Sequence, residues 1–507
     1  MASPKNVAIS MRGQKPEKRR AMLGEMNVRV MVHRERHKVL EPRPVQISGR
    51  MIDTKYRAIQ YRADECDQAD TSSPAVRRYW RWKRGGRLAQ AVQPFDGRAG
   101  KFTDPFPSVH MRLRTFCVIS ALIAAASPLF AQSPVHGIVF VDRNGDGIRQ
   151  ANEPGLPGVS VSNQDTVIVT DSAGAFTIGR GPNALVFVSN PDGYQAVKSF
   201  WRAVGDSVQS IAFAMKPSAA PATFTFVDAS DTHLAPASLP QTQRFRALVD
   251  SIHPDFVLVA GDLVRDALRV SETEARGYYD LAAREFAAFS VPVWLAPGNH
   301  ENFGIETQLS HVDPRNPLFG RAMYHRYFGP DYYSFNRGGV HFIALNSVDI
   351  SGPSYYGHVD SLQLAWLARD LSHVPAQMPV VTFNHIPLVS AFDALGGYTD
   401  GPPAPTLITV NGKTSLRHLV SNASEVLSVL RTHRHVLAIG AHIHAGERIT
   451  FINDGLQTRF EQSPAIVGPS GVAPLRFPAG FVLYTVRDGT IDPGQFIPVT
   501  TGKPATP

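Results

Sequence analysis

Cysteine is nearly missing from this chain: there are 2 in 507 residues, Cys66 and Cys117. That excludes a disulfide-framed scaffold, because such folds use many cysteines to replace a core they are too short to build. No apolar run reaches the roughly 18 residues of a spanning helix, and no lipobox cysteine offers an anchor, so no stable membrane attachment is expected. Acid is also in deficit, with 43 Asp+Glu against 51 Lys+Arg. Taken alone, that balance invites a nucleic-acid reading. The deficit is local, however. Residues 1–110 hold 23 basic and 11 acidic side chains, whereas residues 111–507 hold 28 and 32. No nucleic-acid partner is expected for the downstream part.

A second beginning stands at Met111. Arg112 and Arg114 give a positive start, Phe116 to Ala126 an apolar core, and Ser127-Pro128-Leu129-Phe130-Ala131 an end on a small residue. This reads as a secretory signal peptide over 111–131, cut after Ala131, with Leu129 an unusual residue at the third position before the cut. Such a signal cannot work from inside a chain. Translation is therefore expected to start at Met111, with 1–110 a mis-called or disordered extension. The competing reading is an Arg-rich arm in which Arg77-Arg78-Tyr79-Trp80-Arg81-Trp82-Lys83-Arg84 stacks on bases. Export would place the protein in the periplasm or outside the cell, with both cysteines removed.

Residues 135–216 carry short Val/Ile/Phe-rich runs punctuated by Gly, Asn, Asp and Pro. Val135 to Val141, Val159 to Ser162, Thr166 to Thr170, Ala175 to Ile178 and Ala184 to Val188 read as strands of a small all-β sandwich. Within it Asp142, Asn144, Asp146, Gly147 and Glu153 fit the spacing D-x-N-x-D-G-x5-E, and the Ile148 carbonyl would complete an oxygen shell suited to Ca²⁺. The alternative is a Gly/Asn-rich hairpin loop that needs these residues only for positive φ. Together with Glu153-Pro154-Gly155-Leu156-Pro157-Gly158-Val159 and Thr170-Asp171-Ser172-Ala173-Gly174, the segment resembles the B-type repeat domains of bacterial surface proteins. It also resembles the domain that precedes some secreted phosphoesterases. The resemblance implies a spacer or docking module.

Pro217 to Pro221, with Lys216, reads as a hinge. From residue 222 to about 498 the pattern becomes α/β. Buried strands are expected at Thr223 to Val227, Phe256 to Ala260, Val291 to Ala296, Val340 to Leu345, Val380 to Phe383 and Val436 to Ile439. Helices are expected at Gln243 to Ile252, Ser271 to Phe289, Ser361 to Leu371 and Ser424 to Thr432. In the first helix Phe245, Leu248, Val249 and Ile252 share a face. A domain of this length can bury a substantial core.

The polar residues sit just past those strands. Asp231 and His233 follow the first, Asp262 the second, Asn299 and His300 the third, His385 the run at 380, and His442 and His444 the last. Carboxyl ends of buried strands are where α/β sheets gather their sites. A lone His or Asp there would ordinarily be a cap or a satisfied core residue, but metal-competent groups at five successive strand ends point to one site at one sheet edge.

In this order D-x-H, G-D, G-N-H-E, a lone His and H-x-H look like the calcineurin-like metallophosphoesterases, over residues 222–498. The resemblance implies a four-layer fold, two facing mixed β-sheets flanked by helices, with a dinuclear Fe, Mn or Zn centre. Carried over, Asp231, His233 and His444 hold one metal, Asn299, His385 and His442 the other, and Asp262 bridges them. A metal-bridging hydroxide is then the nucleophile, and His300 serves the leaving oxygen; Asp266 and Glu301 are candidates to orient it, an ordinary surface or capping role being the alternative for each. Protein phosphatases of this superfamily carry Arg where this chain has Asp266 and Asn302, so a phosphoprotein specialist is not indicated. Leu263-Val264-Arg265 supplies no Tyr ligand of the purple acid type. The reaction implied is hydrolysis of a small-molecule phosphomonoester or phosphodiester. His311, Tyr324, Tyr355, Tyr356, His358 and the loop Ala391 to Pro405 are candidates for its rim. A calcium-dependent surface module with a vestigial phosphoesterase domain is the alternative.

Overall fold

The computed structural model describes residues 26–31, 134–398, 400, 405–453, 455–469 and 477–500. The signal segment 111–131, both cysteines and Arg77 to Arg84 lie outside the described residues, as does part of the loop after Ala391. Ahead of residue 134 the described backbone is one strand, β1 (Met26–Met31).

The sandwich consists of β2 (Val135–Val141), β3 (Ser160–Ser162), β4 (Val167–Val169), β5 (Ala175–Ile178), β6 (Leu185–Val188), β7 (Tyr194–Ala196), β8 (Trp201–Ala203) and β9 (Ser210–Pro217). Its two sheets run β5-β2-β9-β7 and β4-β3-β6-β8. Their inner faces close on Val135, Val139, Val161, Ile178, Val186, Val188, Phe213 and Met215, the alternation that a two-sided sandwich demands. β7, β8 and β9 do not stand out in the sequence. β9 (SIAFAMKP) pairs in parallel with the distant β2 by register alone.

The larger domain begins with β10 (Thr223–Ala229), α1 (Leu239–Ile252), β11 (Phe256–Ala260), α2 (Glu272–Ala287) and β12 (Val293–Ala296). It continues through β13 (Tyr333–Arg337), β14 (Val340–Ala344), β15 (Val348–Ser351), β16 (Ser354–Gly357), α3 (Ser361–Leu371) and β17 (Pro379–Phe383). After the hairpin β18 (Leu407–Val410) and β19 (Lys413–Leu416) come α4 (Ala423–Leu430), β20 (Arg434–Gly440), β21 (Glu447–Asn453) and β22 (Leu456–Gln462). β23 (Gly480–Arg487), β24 (Thr490–Ile491) and β25 (Gln495–Pro498) close it.

Two mixed sheets face each other. One is ordered β1-β21-β22-β20-β17-β14-β13; the other is β12-β11-β10-β23-β24, with β25 on β23. Strand β11 (FVLVA) and strand β17 (PVVTF) are buried at every residue, as expected of parallel strands covered on both faces. Between the sheets lies an aromatic stack: Phe226 on Phe256 at 5.4 Å, Trp294 on Phe335 at 4.0 Å and Phe335 on Phe342 at 5.0 Å. Offset rings of this kind add to what their buried area contributes.

Helices cover the outer faces. α1 buries Phe245 and Val249, with Leu248 and Ile252 partly buried against the same cluster. α2 is N-capped by Ser271, whose side chain accepts from the Glu274 amide, and buries Ala275, Tyr279, Ala282 and Phe286. α3 is capped by Asp360, which accepts from Gln363 N at 2.9 Å, and buries Trp366, Leu367 and Leu371.

Lys216 to Pro221, expected as a hinge, is held from both sides. β9 runs to Pro217, Ser218 N donates to Gly193 O at 2.9 Å, and Arg337 reaches Ser218 Oγ and the Ala219 carbonyl. The sandwich is joined to the larger domain by buried polar contacts. Gln164 Nε2 donates to Asp331 Oδ1 (2.7 Å), Tyr332 OH to Gln164 O (2.6 Å) and Trp366 Nε1 to Ser162 Oγ (3.0 Å). Phe187 packs edge-on to Trp366, and Val167 and Phe187 belong to the same apolar cluster as the facing sheets. Buried, satisfied bonds of this kind rigidify a joint.

Candidate metal centre

Each candidate side chain leaves a strand end. Asp231 and His233 follow β10, Asp262 follows β11, and Asn299 and His300 follow β12. These three parallel neighbours lie in one sheet. His385 follows β17, and His442 and His444 follow β20, parallel neighbours in the other sheet. The site therefore straddles the facing ends of two sheets rather than one sheet edge. Pattern reading groups strands by burial and cannot assign them to sheets.

The backbone is bent to bring these groups inward. Asp231, His233, Asp262, His442 and His444 all have left-handed φ, from 38° to 70°. Non-glycine residues adopt such angles at a cost of about 1 kcal/mol or more each, and they persist where the surroundings over-determine them, typically at functional sites. Two glycines make room. A Cβ on Gly298 would lie 2.2 Å from Asp262 Oδ1, and one on Gly261, itself at φ +83°, would lie 2.6 Å from His385 Nδ1.

Two groups of ligating atoms form, and they share Asp262: Asp231, His233, Asp262 and His444; then Asp262, His385 and His442. In the first, His444 Nε2 lies 2.9 Å from Asp231 Oδ1, His233 Nε2 lies 3.4 Å from His444 Nε2, and His233 Nε2 lies 3.7 Å from Asp262 Oδ2. In the second, His385 Nε2 is 3.2 Å from Asp262 Oδ1, 3.1 Å from Asn299 Oδ1 and 3.1 Å from His442 Nδ1.

The donor chemistry fits cations. His385 Nδ1 is 2.9 Å from the Ala260 carbonyl, so in the neutral ring the proton sits there and Nε2 is left as the ligating atom. Around it stand Asp262 Oδ1, Asn299 Oδ1 and His442 Nδ1. Asp231 Oδ2 and His233 Nδ1 are buried without a hydrogen-bond partner. A buried knot of acceptors is costly unless positive charge lies among them. Imidazole, carboxylate and amide oxygen without sulfur suit Fe, Mn or Zn.

The electrostatics agree. Burial would raise Asp262, but His385, His300 and His233 hold its carboxyl well below the usual range. Burial would raise Asp231, but His444 and His385 together hold it below the usual range. Burial opposes a charge on His385, yet Asp262 and Asp231 push it up to about 9, so the pocket favours a positive charge at that point. His233, by contrast, is held neutral by burial, down to about 4.

His300 stands apart. Its Nδ1 is 2.7 Å from the Arg265 carbonyl, Nε2 is 3.8 Å from Asp262 Oδ2, and 19 % of its side chain is exposed. The two carboxylates that are candidates to orient it take the alternative, capping and backbone-holding roles. Asp266 accepts from Leu268 N and pairs with Arg269. Glu301 is fully buried and accepts from the amides of Asp262 (3.1 Å), Val264 (3.0 Å) and Gly298 (2.5 Å), clasping two ligand loops together. A backbone carbonyl leaves no trace in a motif.

Of the rim candidates, Tyr355 reaches the centre, its ring 5.9 Å from that of His442. Tyr324 OH is instead bonded to Leu295 O, Tyr356 and His358 pair with Asp349, and His311 caps a short helix. Arg417 and His418, which no motif contains, stand beside Tyr355 and His442. In the sandwich loop Asp142 accepts from the amides of Gly145 and Gly147, Asp146 from Ile148, and Glu153 from Arg143 and Gln150.

The family model of calcineurin-like phosphoesterases matches residues 224–446. Among solved structures, the chain is similar to a dimetal phosphatase from Danio rerio, at 16% identity and TM-score 0.34, covering 55% of this chain and 99% of that one. It is also similar to GAP50, the anchor in the inner membrane complex of Plasmodium (11%, TM-score 0.33, covering 56% and 87%). A third similar structure is a protein of Thermus thermophilus (10%, TM-score 0.30, covering 55% and 100%). No curated protein matches. The family match spans the strands and loops from β10 to His444 that converge on Asp262, so residues 224–446 form a calcineurin-like phosphoesterase domain, a metal-dependent hydrolase of phosphoric esters.

Proposed function

We propose that the chain is an exported phosphomonoesterase or phosphodiesterase. The observation that supports it best is the buried convergence of acceptors around Asp262. Asp231, His233 and His444 would hold one cation, Asn299, His385 and His442 a second, and Asp262 would touch both. Two such ions neutralise phosphoryl charge and lower the pKa of water that attacks phosphorus.

The chain's own groups then do the following. Ala260 O fixes the His385 tautomer. Glu301 holds the Asp262 and Gly298 backbones in register, and Gly298 leaves space for the Asp262 carboxylate. With His300 Nδ1–H committed to Arg265 O, Nε2 is the atom that carries a proton to the leaving oxygen.

Export rests on the segment Met111 to Ala131, and N-terminal sequencing of the exported protein should begin at Gln132. The same protein, stripped of metal and given Mn²⁺, Fe or Zn²⁺, should hydrolyse p-nitrophenyl phosphate or its bis ester, and the ratio decides between monoesterase and diesterase. No turnover of either with any metal would sink the reading.

Calcium at Asp142, Asn144, Asp146, Glu153 and the Ile148 carbonyl is a separate proposal. It is supported by the D-x-N-x-D-G-x5-E spacing and by spare lone pairs on oxygens that already accept loop amides. Millimolar Ca²⁺ should raise the melting temperature by several degrees, reversed by chelator, and an unchanged melt removes the ion from the loop.

A further inference from the structure

Arg417 follows the β18–β19 hairpin, and its amide donates to Thr406 O at 2.8 Å. Its guanidinium carbon lies 4.5 Å over the ring of Tyr355, whose ring in turn stands 5.9 Å from His442 at 88°. Beside it, the His418 ring is 5.1 Å from His442, and its Nδ1 is 3.4 Å from Asp393 Oδ1. A cation thus sits on an aromatic platform next to the His385/His442 end of the centre.

Arg417 has no counter-ion among the described residues, and unlike Arg180 and Arg202, which also lack one, it stands on the ring that neighbours His442. Arg246, Arg269, Arg321, Arg337 and Arg448 each pair with an Asp or Glu, whereas among the described residues Arg417 pairs with none. Its Nε is buried and has no acceptor. Stacking on a ring satisfies the charge in part but not that N–H. A planar guanidinium with an unused donor is suited to bidentate contact with phosphate.

The reacting phosphoryl group already meets two cations and His300 under the proposed phosphoesterase function, on which this step rests. We propose that Arg417, held on Tyr355, recognises a second anionic group of the substrate, so that the preferred substrates are phosphoesters carrying a further phosphate. Arg417 is here a specificity residue; it takes no part in bond cleavage.

The test compares fructose 6-phosphate with fructose 1,6-bisphosphate, which share a sugar and differ by one phosphate. Binding is measured by calorimetry on the full chain loaded with Mn²⁺, in the His300→Gln background that slows turnover. The bisphosphate should bind at least about tenfold tighter, and Arg417→Gln should erase that advantage while leaving the monophosphate within about twofold. Arg417→Lys, which keeps charge and bulk, should restore part of it, and circular dichroism checks that each variant is folded. Equal weakening of both ligands would overturn the proposal by assigning Arg417 to the reacting phosphoryl group. No weakening of either would overturn it by leaving only water on the buried Nε. Failure of either sugar to bind, in a chain that still hydrolyses p-nitrophenyl phosphate with His300 intact, defeats this proposal alone. Absence of both binding and hydrolysis defeats the functional reading with it.

Discussion

Asp262→Ala is expected to lower kcat by roughly three orders of magnitude or more and to leave the protein short of both cations, because two-ion catalysis depends on both being held together. Asp262 is the one residue common to the two ligating groups, with Oδ1 3.2 Å from His385 Nε2 and Oδ2 3.7 Å from His233 Nε2. Removing it also frees the His300 amide, which donates to Oδ1 at 3.0 Å, so the loop carrying His300 loosens with it. Asp262→Asn separates charge from shape: it can keep the amide contact while halving the anionic charge of the centre. It should therefore retain more structure than Ala but little more metal. Metal content of dialysed protein and kcat against p-nitrophenyl phosphate are the measurements. An Asp262→Ala protein with a full complement of two ions, or with undiminished turnover, would remove Asp262 from the bridging position.

Strand ends such as the one after Phe256–Ala260 are legible because the buried run FVLVA breaks sharply into Gly261-Asp262, and a short apolar run that stops at a polar group marks a buried strand leaving the core. The ligating types are legible for the same reason, since nothing in a core asks for His-x-His after Val-Leu-Ala-Ile-Gly. Less visible are β21 (ERITFIN) and β22 (LQTRFEQ), which are edge-side strands with mixed composition and gain their identity by pairing with each other and with β20. The joint between sandwich and catalytic domain is illegible. Gln164 and Asp331 are 167 residues apart, and neither carries a local signature of the other. The same holds for Arg417, which folding places on the Tyr355 ring beside His442, and for His300, oriented by a carbonyl. Motifs report side chains; they are silent on backbone acceptors and on the company that folding provides.

His300→Ala is expected to keep both cations and lose roughly 10²–10⁴ in kcat, the range that a positioned proton donor supplies. Its contacts separate it from the ligating residues of the centre. The ring makes no ligating contact within either group, its Nδ1 is bound to Arg265 O at 2.7 Å, and its Nε2 stands 3.8 Å from Asp262 Oδ2 at the exposed edge. A group that protonates the leaving oxygen matters in proportion to how badly that oxygen leaves. The loss should be small for p-nitrophenyl phosphate, whose phenolate departs readily, and large for an alkyl phosphate. A plot of log kcat against leaving-group pKa should be steeper in His300→Ala than in the unsubstituted chain. His300→Gln can donate a hydrogen bond but not a proton, and should fall between them. Parallel plots, or a variant that sheds metal along with activity, would place His300 among the supports of the metal centre and leave the leaving oxygen to solvent.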